Sequence, residues 1–211
     1  MSVPIVCFVG KSGSGKTTFL EKVVAELVTR GYRVGAVKHD AHGTELDQPG
    51  KDTWRLRLAG ACRVALSSVH GSVLFATEPL PLETLALRYF DDLDIVLAEG
   101  FKRSALPKIE VARAERSREL LCRPEELVAV VSDFPVELPC PHFGLEDAAA
   151  VADLLETRFL RRPRVVLRVD GREIPLKPFV RRVLAGAVRG LLAGLKDAEG
   201  RKIELHIGGM E

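Results

Sequence analysis

Residues 10–17 of this 211-residue chain read Gly-Lys-Ser-Gly-Ser-Gly-Lys-Thr, a glycine-rich turn closed by a lysine and a hydroxyl residue. The spacing G-x-x-x-x-G-K-[ST] suits a polyphosphate. Glycines let successive backbone N–H groups turn inward around phosphate oxygens, and a helix beginning at the end of the loop adds the partial positive charge of its N-terminus. In that arrangement Lys16 reaches the β- and γ-phosphates, and the Thr17 hydroxyl serves Mg²⁺. Lys11 has two readings, an exposed loop lysine or one that reaches a partner's phosphate.

A second cluster closes the segment VLAEGFKRS, residues 97–105. Glu99 ends an apolar run at the place where P-loop proteins present an acid to Mg²⁺ or its water. Gly100 lets the backbone bend toward the terminal phosphate. Lys102 and Arg103 follow at the carboxyl edge, where anionic ligands collect in open α/β folds, or else belong to a solvated face. Lys38-His39-Asp40 closes another apolar run at the same edge, so His39 and Asp40 are expected to contact phosphate or metal-bound water. His42 follows, but two loop histidines without a third ligand make a weak metal site. Asp133 ends the run LVAVVSD, the position from which P-loop GTPases accept both guanine N–H donors; a turn-forming aspartate is the other reading. Asp52 is either a helix cap or a ligand, and Asp94, at the start of its strand, belongs to the far edge.

The elements that must position these groups follow from period and punctuation. Apolar, β-branched runs at 3–9, 33–39, 94–100, 108–113 and 127–133 predict strands, and 63–67 and 72–77 predict two more. Helices are expected at 16–30, with Phe19, Leu20, Val23, Val24, Leu27 and Val28 on one face, and at 53–61, 82–90 and 145–159. Alternation of strand and helix implies an α/β fold, a P-loop NTPase with a mostly parallel sheet flanked by helices. A boundary falls at Arg161-Arg162-Pro163, giving a nucleotide-binding domain over 1–160 and a basic domain over 163–211. The latter reads as a small α+β appendage of order ββαβ: strands flank the hairpin pair Asp170-Gly171, a helix spans 178–195, and a last strand covers 202–207.

Hydrophobic residues make up 46% and charged residues 28%, a balance that excludes disordered and fibrous classes. No apolar run is long enough to span a bilayer and no basic leader opens the chain, so a cytoplasmic protein without membrane contact is expected. The four cysteines have no C-x-x-C spacing and read as reduced filler. Residues 158–189 hold 10 Lys/Arg against 2 Asp/Glu, whereas 1–157 hold 18 against 23. No aromatic interleaving accompanies this basic segment, which argues against nucleic acid.

In order, G-K-S-G-S-G-K-T-T, K-H-D-A-H-G, P-G-K-D-T-W-R, V-L-A-E-G-F-K and V-V-S-D resemble the MobB family of molybdopterin guanine dinucleotide biosynthesis adaptors, over about residues 4–157. The resemblance implies that Gly13, Ser14, Gly15, Lys16, Thr17 and Thr18 hold GTP phosphates, with Thr17 and Glu99 near Mg²⁺. It places Lys38, His39, Asp52 and Lys102 at the family's other signature positions. It further implies a homodimer that binds GTP, hydrolyses it slowly through Lys16 and Glu99, and assists the guanylyltransferase that joins GMP to molybdopterin. Residues 99–103 would then be where triphosphate, metal and the pterin phosphate meet. The basic tail and the His-Asp-Ala-His order depart from the family pattern; the tail reads as a transferase dock, a cofactor holder or a dimer element. A small-molecule kinase and a metal-inserting GTPase are the alternative functions, the latter disfavoured by the scattered cysteines.

Overall fold

Ile5–Val9 forms β1, and all five of its side chains are buried. A strand with no polar alternation belongs inside a parallel sheet covered on both faces. The computed structural model, which describes residues 3–40, 43, 46–160, 165–176 and 178–195, has this arrangement. Six strands lie in the order β2 (Val34–Lys38), β5 (Ile95–Glu99), β1, β6 (Lys108–Ala112), β7 (Leu127–Ser132), β8 (His142–Phe143). Every neighbouring pair is parallel. The order reverses at β1, and the crevice outside the carboxyl ends of the strands at such a reversal is where open α/β sheets hold ligands. β3 (Arg63–Ser68) and β4 (Gly71–Ala76) form a separate antiparallel hairpin, preceded by helix α2 (Asp52–Leu58).

Helices cover both faces of the sheet. From α1 (Lys16–Thr29), Phe19, Leu20, Val23 and Leu27 pack with Val6, Phe8 and Leu97 of the sheet and with Val151 and Leu155 of α4 (Ala148–Leu155). From α3 (Leu82–Tyr89), Leu82 and Ala86 pack on the other face against Val3, Ile5, Cys7, Val9, Val96 and Ala98. Burying a side chain such as Leu27 or Phe8 contributes about 1.5–3 kcal/mol, so these two clusters fix the strand order that brings the loops together. Val28, expected on the apolar face of α1, is instead 55% exposed. The helix expected over 145–159 starts later, because the Asp147 carboxylate accepts the Gly144 N–H at 2.8 Å and closes a turn first, and it continues into a π-helical turn at Glu156–Leu160.

Residues 2–160 form one compact unit, and the chain from 161 onward belongs to a second. In the second, β9 (Leu167–Val169) and β10 (Arg172–Ile174) pair antiparallel around Asp170 and Gly171, both left-handed with φ 50° and 75°, the turn expected of that pair. Helix α5 (Pro178–Leu192) follows. The strand expected at 202–207 lies outside the described residues. All four cysteines are free; burial pushes the Cys7, Cys122 and Cys140 thiols up, Cys122 to about 12, while Cys62 is exposed. Among the described residues no helix is long and apolar enough to cross a membrane.

β6 carries two buried charges that its alternating sequence does not announce. Lys108, with 1% of its side chain exposed, donates to the Ser104 carbonyl at 2.6 Å and to Glu126 Oε1 at 2.8 Å. The Lys108 hydrogen bond, helped by the Arg123 N–H, pulls the Glu126 carboxyl down from 4.5 to about 2. A depressed carboxyl pKa stabilises the fold above the ordinary value and loses that contribution as pH falls through the folded one. Glu126→Gln should therefore melt earlier than wild type at neutral pH, with the difference shrinking between pH 4.5 and about 2. Melting curves that differ equally at both ends of that window would contradict this pairing.

Candidate functional site

The loop between β1 and α1 is built to leave backbone donors free. Gly15, the N-cap of α1, has φ 84°, no side chain caps the helix, and no acid stands in its first turn. The N–H groups of that turn, with the positive end of the helix dipole, remain for an anion. Lys16 bridges the loop, its ammonium donating to the Lys11 carbonyl at 2.9 Å. Lys11 turns to its own chain, donating to Ser117 Oγ at 2.7 Å and pairing with Glu119 at 3.4 Å. Thr17 and Thr18 are exposed at the start of α1, and Ser14 is 1% exposed.

On the β5 side several predicted residues converge. Thr17 Oγ1 donates to Glu99 Oε2 at 2.7 Å, and Lys38 Nζ lies 3.9 Å from the same oxygen. Burial, and secondarily Lys102 and Lys38, lower the Lys16 pKa, while Glu99 opposes them; these groups thus share one electrostatic neighbourhood. His39 donates its backbone N–H to the Glu99 carbonyl at 2.9 Å and sets its ring 4.9 Å from that of Phe101. Gly100 has φ 96°, and a Cβ there would stand 3.0 Å from the His39 Cβ, so glycine keeps the two strand ends close. Phe101 is also left-handed, with φ 55°, a conformation a bulky residue rarely adopts. Asp40 follows His39 as an exposed residue, Lys102 and Arg103 are exposed beyond β5, and His42 lies outside the described residues. The Thr17 hydroxyl and Glu99 carboxylate are adjacent hard oxygen donors, a set that fits Mg²⁺, which takes one or two side chains and completes its shell with phosphate and water.

The remaining candidates stand outside this convergence. Asp133 stands exposed just beyond β7, and its Oδ1 accepts the Ala114 N–H at 2.8 Å, so one carboxylate oxygen is partly engaged by the neighbouring loop. Asp52 makes no cap hydrogen bond; it sits in the first turn of α2, 3.7 Å from Arg55. Asp94 accepts the Arg33 N–H at 2.9 Å at the amino end of β5, away from the loop. Two arginines not singled out from the sequence lie against the loop: a Cβ on Gly13 would meet Arg116 Nε at 2.8 Å, and one on Gly15 would meet Arg113 Nε at 3.3 Å. Their only sequence signal is position, one and four residues beyond a strand, and it becomes informative once that strand is known to flank β1.

The sequence profile of the family MobB, Molybdopterin guanine dinucleotide synthesis protein B, matches residues 5–133. The chain belongs to the MobB family. That span runs from β1 to Asp133 and contains every convergence just described. Among MobB relatives, the molybdopterin-guanine dinucleotide biosynthesis adapter protein of Haemophilus influenzae is 36% identical over 157 residues, which cover 73% of this chain and 88% of the relative. The Escherichia coli adapter protein of the same description is 37% identical over 164 residues, 72% of this chain and 91% of the relative. The crystal structure of Bacillus subtilis MobB superposes with a TM-score of 0.60 at 30% identity, covering 74% of this chain and 98% of that one. Each of these three matches takes in 88% or more of the relative and 72–74% of this chain.

Proposed function

We propose that this chain is a GTP-binding adaptor of molybdopterin guanine dinucleotide biosynthesis, a cytoplasmic homodimer with slow GTP turnover that works beside a guanylyltransferase. The observation that carries the reading is the uncapped loop 10–17, whose Thr17 hydroxyl meets the Glu99 carboxylate of the neighbouring strand at a strand-order reversal. In this reading Gly13–Thr18 hold the phosphates, with Lys16 and Glu99 as the groups nearest the chemistry. Thr17, Glu99 and, through water, Asp40 hold Mg²⁺. The cations Lys38 and Lys102, with the His39 ring as a further polar group, form a rim suited to the phosphate of molybdopterin. Asp133 reads the base: a carboxylate has two oxygens with spare lone pairs, so accepting Ala114 N–H leaves room for the paired N–H donors of guanine, which adenine lacks. The names of the relatives support the adaptor role, and the apolar side chains that the β3–β4 hairpin and its turn leave exposed, among them Leu66, Val69 and Val73, support a second copy as partner.

Calorimetric titration with GTP and ATP, with and without Mg²⁺, tests the base assignment. Wild type is expected to prefer GTP, and Asp133→Ala to bring the two affinities within about threefold, a loss of one or two hydrogen bonds at roughly 1 kcal/mol each. Equal affinities in wild type would remove Asp133 from the site. The adaptor role is tested by mixing with the guanylyltransferase: dinucleotide yield should rise, whereas GTP consumption stimulated by a small hydroxylated acceptor would point to a kinase instead.

A further inference from the structure

We propose that Arg113 is a phosphate ligand of the nucleotide site, a cationic arm supplied by the same chain from the strand opposite Glu99. The inference rests on the reading of loop 10–17 as a triphosphate cradle and names a further residue of it. β6 pairs with β1 in the register Val9↔Glu110, so the residue that follows β6 emerges beside the start of the loop. The Arg113 guanidinium lies on Gly15: a Cβ there would meet its Nε at 3.3 Å and Nη2 at 3.4 Å.

Three buried side-chain polar atoms lack a hydrogen-bond partner among the described residues, and two of them are here, Arg113 Nε and Ser14 Oγ. Ser14 is itself 1% exposed. An unpaired buried donor is costly, and a cationic one more so, so the group calls for an explanation, and a visiting anion supplies one beside this loop. The planar fork of an arginine matches two phosphate oxygens at once.

The backbone around this arm is tied down, while its Nε has no hydrogen-bond partner among the described residues. The Arg113 carbonyl accepts the N–H groups of Arg116 and Ser117, each at 2.9 Å. Lys11 holds Ser117, and buried Glu110 accepts the N–H groups of Leu121 at 2.7 Å and Cys122 at 2.9 Å. A fixed base with an unpaired Nε is the preorganised form of a ligand arm. A guanidinium stays charged at every working pH, so its contribution does not share the burial-lowered titration of Lys16.

The full chain is titrated with Mg²⁺·GTP and, separately, with inorganic tripolyphosphate, as wild type, Arg113→Ala, Arg113→Lys and Arg113→Met, and each free protein is melted. Arg113→Ala and Arg113→Met should bind both ligands about 10- to 100-fold more weakly, Arg113→Lys should recover part of the loss, and no free protein should melt lower than wild type. If Arg113→Ala binds within twofold of wild type, or if the uncharged methionine restores full affinity, the arginine is only a prop for the glycines and the proposal falls. A wild type that binds neither ligand would overturn the cradle reading itself, a separate failure.

Discussion

Lys16→Ala should weaken GTP binding by about 10²–10³-fold, roughly 3–4 kcal/mol, with little change in the melting temperature of the free protein. Lys16 is half-buried, and its ammonium makes one hydrogen bond among the described residues, to the Lys11 carbonyl, so the free fold loses little when it goes. The nucleotide loses more, because the same group would otherwise exchange that carbonyl for charged phosphate oxygens. A pH signature accompanies the loss. Burial, with Lys102 and Lys38, lowers the Lys16 pKa in the free protein despite Glu99, and a triphosphate beside it raises the pKa again. A group whose pKa rises on binding takes up a proton, so wild-type affinity should fall as pH rises through the free-state pKa. Calorimetry in buffers of different ionisation enthalpy, at a pH close to the free-state pKa, should show that uptake in wild type and its absence in Lys16→Ala.

Gly10→Ala should cost the fold about 2–5 kcal/mol, the sum of overpacking and backbone strain. Gly10 leaves β1 with φ 150°, and a Cβ there would stand 2.2 Å from the Val111 carbonyl oxygen on β6 and 2.8 Å from Ser14 Oγ. The first neighbour is backbone and cannot rotate away. Accommodating a methyl group means spreading β1 from β6 at the very point where the loop begins, so stability and GTP affinity should fall together. Gly50→Ala separates the two contributions: Gly50 has φ 84° but nothing within 4 Å of the added atom, so only the strain of about 1–2 kcal/mol remains. Denaturant unfolding that gives equal losses for both variants would show that the clash with β6 does not matter.

The parts of the site that lie along one stretch of chain were legible before the structure. β1, the glycine loop and α1 carry their signals locally, an apolar run, permissive residues and a 3.6-residue period. What depends on strand neighbours was not legible. Arg113 and Arg116 matter only because β6 lies beside β1, which no local pattern reveals. Lys108 and Glu110 alternate with apolar residues as on a half-exposed strand, yet both are buried, since partners distant in sequence, Glu126 for one and the amides of Leu121 and Cys122 for the other, satisfy them. β8 has two residues, too few for any period. Lys11 reads in isolation as a free lysine or a donor to a partner, and the groups that engage it, Ser117 and Glu119, lie more than a hundred positions away.

The central claim is that main-chain amides of residues 10–17 capture a nucleoside triphosphate. Its most direct test is a crystal structure of the protein with Mg²⁺ and a slowly hydrolysed GTP analogue. Phosphate density enclosed by the loop, with a cation beside Thr17 and Glu99, is the predicted result; an empty loop with the analogue ordered elsewhere on the molecule would contradict it.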